Sequence, residues 1–308
     1  MKFIKHTKIW FTFSLIVILI GVGAMVRNKM DDQIDSALIY GVDFTGGAVL
    51  VLDFDEAAVD TGSSDFKTQL GNAFVSELSD KSLEIRQTSE GYFSLRTQVL
   101  TDEERDAVVE SIGGNVGAFE LISYNTIGPK VGETLKSRAL FALIIALIAI
   151  VLYIAYAFRK VPKKVSAWKF GFAAIVALAH DVIITLGVFA LFQFEINAYF
   201  ITALLTIMGF SVHDTIVVFD RIRENLHHQG REDTFGDIAD ESLNQTMTRS
   251  INTSISTLFP LLALYIWGST AIEHFVLALI IGILVGTYSS IFIASPVLTL
   301  WQERGRKR

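Results

Sequence analysis

The sequence predicts a polytopic α-helical membrane protein: six transmembrane helices with one α+β domain inserted after the first. Three observations predict it. Hydrophobic residues make up 51% of the 308, and mean hydropathy is +0.47. Six apolar runs are long enough to cross a bilayer, which takes ~17–25 residues. Lys and Arg gather in every second connection between those runs, as expected of loops that stay in the cytoplasm.

The runs are Ile9–Val26, Ala139–Phe158, Phe170–Phe192, Tyr199–Phe219, Ile251–Trp267 and Phe275–Leu300. The first follows Lys2, Lys5 and Lys8, as a signal peptide would, but it is long for one and lacks an A-x-A cleavage pattern, so it reads as a retained anchor. The connection after the second run carries Arg159, Lys160, Lys163, Lys164 and Lys169; that after the fourth carries Arg221, Arg223 and Arg231; the tail ends Arg304, Arg306, Lys307, Arg308. The connections near Glu195 and Glu273 have no Lys or Arg. Both termini are therefore expected inside. The expected divisions are residues 1–26 (cytoplasmic end and first helix), 27–137 (external domain), 138–303 (helices two to six with cytoplasmic loops) and 304–308 (basic tail).

The external segment is acidic, with Asp31, Asp32, Asp35, Asp53, Asp55, Glu56, Asp60 and the Asp102-Glu103-Glu104 group. That excludes a nucleic-acid surface, which needs a basic stripe. Its periodicity changes along the chain. Gly47–Phe54 reads as a strand. Ser64–Leu78 has helical spacing, with Phe66, Leu70, Phe74 and Leu78 on one face. Leu83–Thr88 and Tyr92–Gln98 alternate about a Glu90-Gly91 turn and read as a hairpin. Thr101 with Glu104 makes a capping box for a helix to Ile112, and Gly117–Tyr124 is a last strand. The order βαββαβ is that of a ferredoxin-like fold. The chain has no cysteine, which removes disulfide, zinc-thiolate and cysteine-nucleophile chemistry. No cofactor or metal is expected, and no catalytic residue.

The chemistry is concentrated in Gly209–Asn225, GFSVHDTIVVFDRIREN. A carboxylate inside an apolar helix is costly, ~2.5–3.5 kcal/mol on insertion scales, and marks an ion path by default. Here that carboxylate is Asp214, beside His213. Thr206, Gly209, His213 and Asp220 fall on one stripe of this helix, and Asp214 adjoins it. The run ends in Asp220, Arg221, Arg223 and Glu224, as a helix leaving the membrane on its cytoplasmic side does. The third run holds a second pair, His180-Asp181, in a small and polar stripe Ala173, Ala177, Asp181, Thr185 suited to close helix contact. Asp181 is open to either a proton-pathway or a hydrogen-bonding role. The fifth run opens on Arg249, in line with Thr253, Ser256 and Pro260; snorkelling to the interface is its alternative reading. The sixth carries Gly282, Gly286, Ser290 and Ala294 four apart, a track for a close neighbour inside the bundle or on a partner. Asp237–Gln245 is expected to be a short amphipathic helix on the membrane surface.

Three of these segments carry a resemblance. GFSVHDTIVVFDRIREN resembles the signature of the SecF family, the smaller half of the bacterial SecDF protein-export complex. Gly41–Gly47, GVDFTGG, is similar to a motif that SecD and SecF share just after their first span, so Gly41, Asp43, Gly46 and Gly47 are motif positions; locally the segment reads as a tight turn. ALAHD and QTMTRSINTS also look like SecF segments, and Arg249 matches the arginine that partners the transmembrane aspartate. His213 stands where some relatives carry Asn. The resemblance implies an RND-superfamily architecture in the cytoplasmic (inner) membrane, and no enzymatic activity. It implies SecD as partner, association with the SecYEG channel and with YajC or YidC, unfolded preprotein as cargo, and protons or Na⁺ as the driving ion. Ion coupling would fall to Asp214 and Arg249, with His213, Asp181 and His180 near them. Two other classes share some of these features. An intramembrane aspartyl protease would use Asp181 and Asp214 but needs G-x-G-D, whereas Phe210-Ser211-Val212-His213 precedes Asp214. A small-molecule or lipid RND exporter normally has larger external domains.

Overall fold

The computed structural model describes residues 2–31, 36–54, 60–61, 63, 65–87, 91–159, 166–227 and 234–306. Lys160, Lys163, Lys164, Arg231, Glu90 and the last two residues of the basic tail lie outside the described residues. The chain forms two compact units, Met1–Ile39 with Ala139–Arg308, and Tyr40–Arg138.

The first unit is helical and polytopic. Its helices are α1 (Thr7–Met30), the part of α5 (Pro129–Ala157) from Ala139 on, α6 (Ala167–Phe192), α7 (Ala198–His227), α8 (Phe235–Trp267) and α9 (Glu273–Ser289). A π-turn, Ser290–Ala294, carries α9 on into α10 (Ser295–Arg306). Counting α9 to α10 as one span, six described helical stretches are long and apolar enough to cross a membrane. Helix α9 packs on α6, α7 and α8, and α1 packs on α6. Aromatic rings fill one end of this core: Phe158 stacks on Phe170 at 5.0 Å, and Phe219 meets Phe170 edge-on at 5.2 Å.

Small residues set the helix spacings. A Cβ on Gly21 of α1 would sit 2.7 Å from the Gly187 Cα of α6, so the two backbones cross in near contact. A Cβ on Gly282 would meet the Ile207 side chain at 2.2 Å, and one on Gly286 would meet Ser211 Cβ at 3.0 Å. The small-residue track of the last span thus lies against α7, inside this chain's own bundle.

Helix α8 departs from expectation. There is no separate amphipathic helix at Asp237–Gln245; one helix runs unbroken from Phe235 to Trp267. Thr234 and Asp237 form a capping box that starts it. No Gly or Pro interrupts it between Gln245 and Arg249. Phe235, Ile238, Ala239 and Leu243 bury their side chains in the same core as Ile222 and Leu226 of α7. Arg221 and Asn225 at the end of α7 both hydrogen-bond Gln245, at 2.5 and 2.9 Å, so tertiary contacts hold this stretch upright beside α7.

The second unit contains α2 (Val42–Thr45), β2 (Gly47–Phe54), α3 (Phe66–Glu77), β3 (Leu83–Gln87), β4 (Phe93–Thr97), α4 (Asp102–Asn115) and β5 (Phe119–Ile127). The four strands form an antiparallel sheet in the order β3-β4-β2-β5. Leu50 is the pivot of the register, facing Leu95 on one side and Tyr124 on the other. Phe66, Leu70 and Phe74 are buried with Leu50, Leu52, Phe93, Leu95, Val108 and Ile112 in one core, so the helical spacing read from the sequence gives the right face. The Thr101–Glu104 capping box is formed. Lys81 lies 2.6 Å from Glu104, and this ion pair with the Thr101 N–H holds the Glu104 carboxyl below its ordinary range.

The GVDFTGG segment is a single helical turn followed by two glycines with positive φ, 71° at Gly46 and 123° at Gly47. Their conformation favours glycine, and so does their setting. A Cβ on Gly46 would lie 2.6 Å from Pro129 Cα, and one on Gly47 would lie 2.5 Å from the Thr97 carbonyl. Gly132 closes the same contact from the first turn of α5, with its Cβ direction 2.9 Å from Gly46 N. Arg96 donates to the Tyr40 carbonyl at 2.5 Å and to Thr45 Oγ1 at 2.9 Å. The motif therefore clamps the root of the sheet onto the start of α5.

The packing of the last span on α7 is open to test. Gly282→Leu should lower thermal stability in detergent by about 1–3 kcal/mol, the usual range for overpacking, and Ile207→Ala in the same chain should recover much of that loss.

Candidate functional site

Helix geometry turns two carboxylates into the centre of the membrane unit. Asp181 is fully buried on α6. Its Oδ2 accepts from Ser211 Oγ of α7 at 2.6 Å and from Ser289 Oγ at the end of α9 at 2.8 Å. Its Oδ1 lies 2.9 Å from Nδ1 of the preceding His180. One carboxylate thereby ties three helices together. A carboxyl group without partners in such a place would be prohibitively costly, and its several hydrogen bonds are what make it tolerable. The His180 ring stacks on Tyr288 at 6.0 Å, and its Nε2 is buried with no hydrogen-bond partner among the described residues.

Asp214 lies three residues beyond Ser211 on α7, ~4.5 Å further along the helix axis. It is 5% exposed. The side chains that adjoin it are Ser250 of α8 and Ser290 at the start of the π-turn. Its Oδ2 and the Ser250 hydroxyl are nonetheless without a well-aligned hydrogen bond among the described residues. The second carboxylate is therefore far less completely coordinated than the first.

The remaining residues singled out by sequence divide between two faces. Thr206, Gly209, His213 and Asp220 form the stripe expected on α7, but they are exposed, whereas Asp214 turns inward. Arg249 is exposed too and makes no ion pair with Asp214. The residue that reaches the carboxylate is its neighbour Ser250. Asp220 pairs with Arg223 and Arg221 with Glu224, one turn apart at the end of α7. Gly41 is buried and Asp43 half-buried in the second unit's glycine turn. Among the described residues no group of three His, Cys, Asp or Glu could hold a metal ion. Sequence reasoning missed Ser211, Ser250 and Ser289 and treated Ser290 only as a small spacer; consecutive serines inside an apolar span were the available signal.

Residues 108–304 match the family model described as protein export membrane protein SecD/SecF, C-terminal. The protein translocase subunit SecF of Sebaldella termitidis is 36% identical over 97% of this chain and 91% of its own length. That of Thermobaculum terrenum is 41% identical over 86% of this chain and 84% of its own. The chain belongs to the SecF family. Among solved structures, SecDF from Thermus thermophilus, described as a translocon-associated membrane protein, superposes with a TM-score of 0.81 at 31% identity. That match covers 99% of this SecF-family chain and 39% of the SecDF chain. A SecDF structure in a super-membrane-facing form gives a TM-score of 0.67 at 30% identity.

The Asp181 contacts in this SecF-family chain predict a clear asymmetry between two substitutions. Asp181→Leu removes the acceptor for buried donors on three helices, each worth about 1–3 kcal/mol when left unsatisfied, and should lower the unfolding temperature sharply. Asp181→Asn keeps an acceptor oxygen and should lower it much less. Thermal unfolding in detergent separates the two.

Proposed function

We propose that this SecF-family chain works with SecD beside the SecYEG channel and uses the ion gradient to promote late translocation and release of unfolded preproteins. On this reading it lies in the cytoplasmic membrane with both termini inside. The Tyr40–Arg138 unit is then a ferredoxin-like domain on the outer side, which fits its element order and the strand order β3-β4-β2-β5.

The observation that carries the coupling reading is the contrast between the two carboxylates. Asp181 has a complete set of donors and suits a fixed structural role. Asp214, nearly as buried, has an acceptor oxygen without a hydrogen bond, with Ser250, Ser290 and His213 near it. A group so placed can gain or lose a proton with a small rearrangement. Arg249 adjoins Ser250 on α8, ~100° round the helix, so a rotation of α8 exchanges a hydroxyl for a guanidinium beside the carboxylate. His213, on the exposed face next to Asp214, offers a route for protons between that face and the interior.

The magnitudes suit this role. One charge moved through 100 mV is worth ~2.3 kcal/mol. Carrying a two-state equilibrium from 1:99 to 99:1 takes ~5.5 kcal/mol. A single proton biases the cycle; a full reversal needs a larger gradient or more than one proton. Protonated and Arg249-paired states of Asp214 are the two ends of that cycle, and their exchange moves the outer domain.

In a gradient-dependent export assay at matched protein levels, Asp214→Asn should abolish stimulation, and Asp214→Glu should keep part of it because it still titrates. Arg249→Lys should substitute poorly, since an ammonium lacks the planar fork that binds a carboxylate. Wild-type activity in Asp214→Asn would remove Asp214 from the mechanism. The orientation is tested separately: a reporter between β3 and β4 should be reached from outside the cell, and one between α7 and α8 only from the cytoplasm.

A further inference from the structure

Four consecutive residues of the last span, Thr287 to Ser290, each reach a different helix. Thr287 Oγ1 meets Ser254 of α8 at 2.5 Å. Tyr288 Oη donates to the Trp10 carbonyl of α1 at 3.0 Å and meets Ser14 at 3.1 Å. Ser289 donates to Asp181 of α6, and Ser290 adjoins Asp214 of α7. The helix changes to π geometry at Ser290. Single π-turns inside α-helices occur frequently at functional sites.

The carbonyl of Gly286 lies beneath this group, and more donors reach it than it can serve. It accepts the backbone N–H of Ser290. Ser290 Oγ lies 2.6 Å from it and Ser289 Oγ 3.1 Å. A carbonyl has two lone pairs, and a hydroxyl has one proton to donate. With one lone pair taken by the backbone, the two hydroxyls compete for the other. Ser289 is hydrogen-bonded to Asp181, while Ser290 lies beside Asp214 with its hydroxyl turned to Gly286 instead. Gly286 cannot carry a side chain without displacing Ser211, which is itself an Asp181 donor.

We propose that Ser289 and Ser290 form a hydroxyl relay that couples the Asp214 site to the hydrogen-bond knot around Asp181, with the Gly286 carbonyl as their shared acceptor. When Asp214 carries its charge, the Ser290 hydroxyl turns to it and leaves the Gly286 lone pair free. Ser289 then divides its proton between that carbonyl and Asp181, and the tie between α6 and the last span loosens. When Asp214 takes up a proton, Ser290 returns to Gly286 and Ser289 is held on Asp181. No proton passes along the relay; only the two hydroxyls rotate. The ionisable groups around it are His213 beside Asp214, Arg249 next to Ser250 on α8, His180 on Asp181, and Tyr288. The relay rests on the reading of Asp214 as the proton-carrying group.

The test is pH-difference infrared spectroscopy of the full-length chain in lipid nanodiscs, with carboxyl bands assigned by Asp181→Asn and Asp214→Asn. In the wild type, the Asp181 band should shift over the same pH range in which Asp214 titrates. In Ser290→Ala, Asp214 should still titrate and the Asp181 band should stay put. Ser290→Thr, which keeps the hydroxyl, should restore the shift, and Ser289→Ala should abolish it even if Ser290→Ala proves unstable. An Asp181 band that stays fixed in the wild type while Asp214 titrates, or one that still moves in either alanine variant, overturns the relay and leaves Asp214 as the carrier. An Asp214 that does not titrate at all overturns both.

Discussion

A buried carboxylate has to be given hydrogen-bond donors, and in the membrane unit this requirement governs where the helices lie. Asp181 is fully buried. Its donors come from α6 itself, from α7 and from the last span, so those three helices are fixed at one depth and one rotation. An apolar contact in a bilayer has little hydrophobic driving force, because lipid tails are as apolar as the helix surface. Polar contacts and close packing are left to specify the arrangement. The Asp181 knot supplies the first, and the glycines of the last span, seated on Ile207 and Ser211, supply the second.

The same logic makes the two carboxylates different in kind. Asp181 is satisfied and rigid. Asp214 is enclosed by hydroxyls without being fully satisfied by them. The two sites lie about one helical turn apart along α7. The last span touches both through adjacent serines, and its π-turn begins there. Thr206, Gly209 and His213 of α7, and Arg249 and Ser256 of α8, are exposed.

The second unit follows ordinary soluble-domain physics. Alternating apolar residues of β2 and β4 meet the apolar faces of α3 and α4 in a core of Phe and Leu. Its unusual feature is the glycine turn. Gly46, Gly47 and Gly132 bring the backbone of the sheet's first strand against the first turn of α5 with no room for side chains.

Much of this was legible in the sequence, because the signals are local. Apolar run length fixed the spans, alternation and helical spacing fixed β2, α3 and the hairpin, and the Thr101 and Glu104 pair marked a cap that is formed. The intramembrane aspartates stood out because charge is so rare there. What the sequence could not decide was which neighbours face them. The stripe on α7 was drawn through His213 with Asp214 beside it, but helical phase gives only relative angles, and packing turned Asp214 inward and His213 out. On α8, packing placed Ser250 rather than Arg249 against the carboxylate. Helix α8 itself runs on from Phe235 because contacts with α7 hold its charged first turns, which no local pattern records. Which carboxyl group each of Ser289 and Ser290 meets is decided only when α6 and α7 pack on the last span. Sequence determined which residues carry polar chemistry into the membrane; tertiary packing decided which of them meet, because that depends on the rotation and depth of each helix against the others.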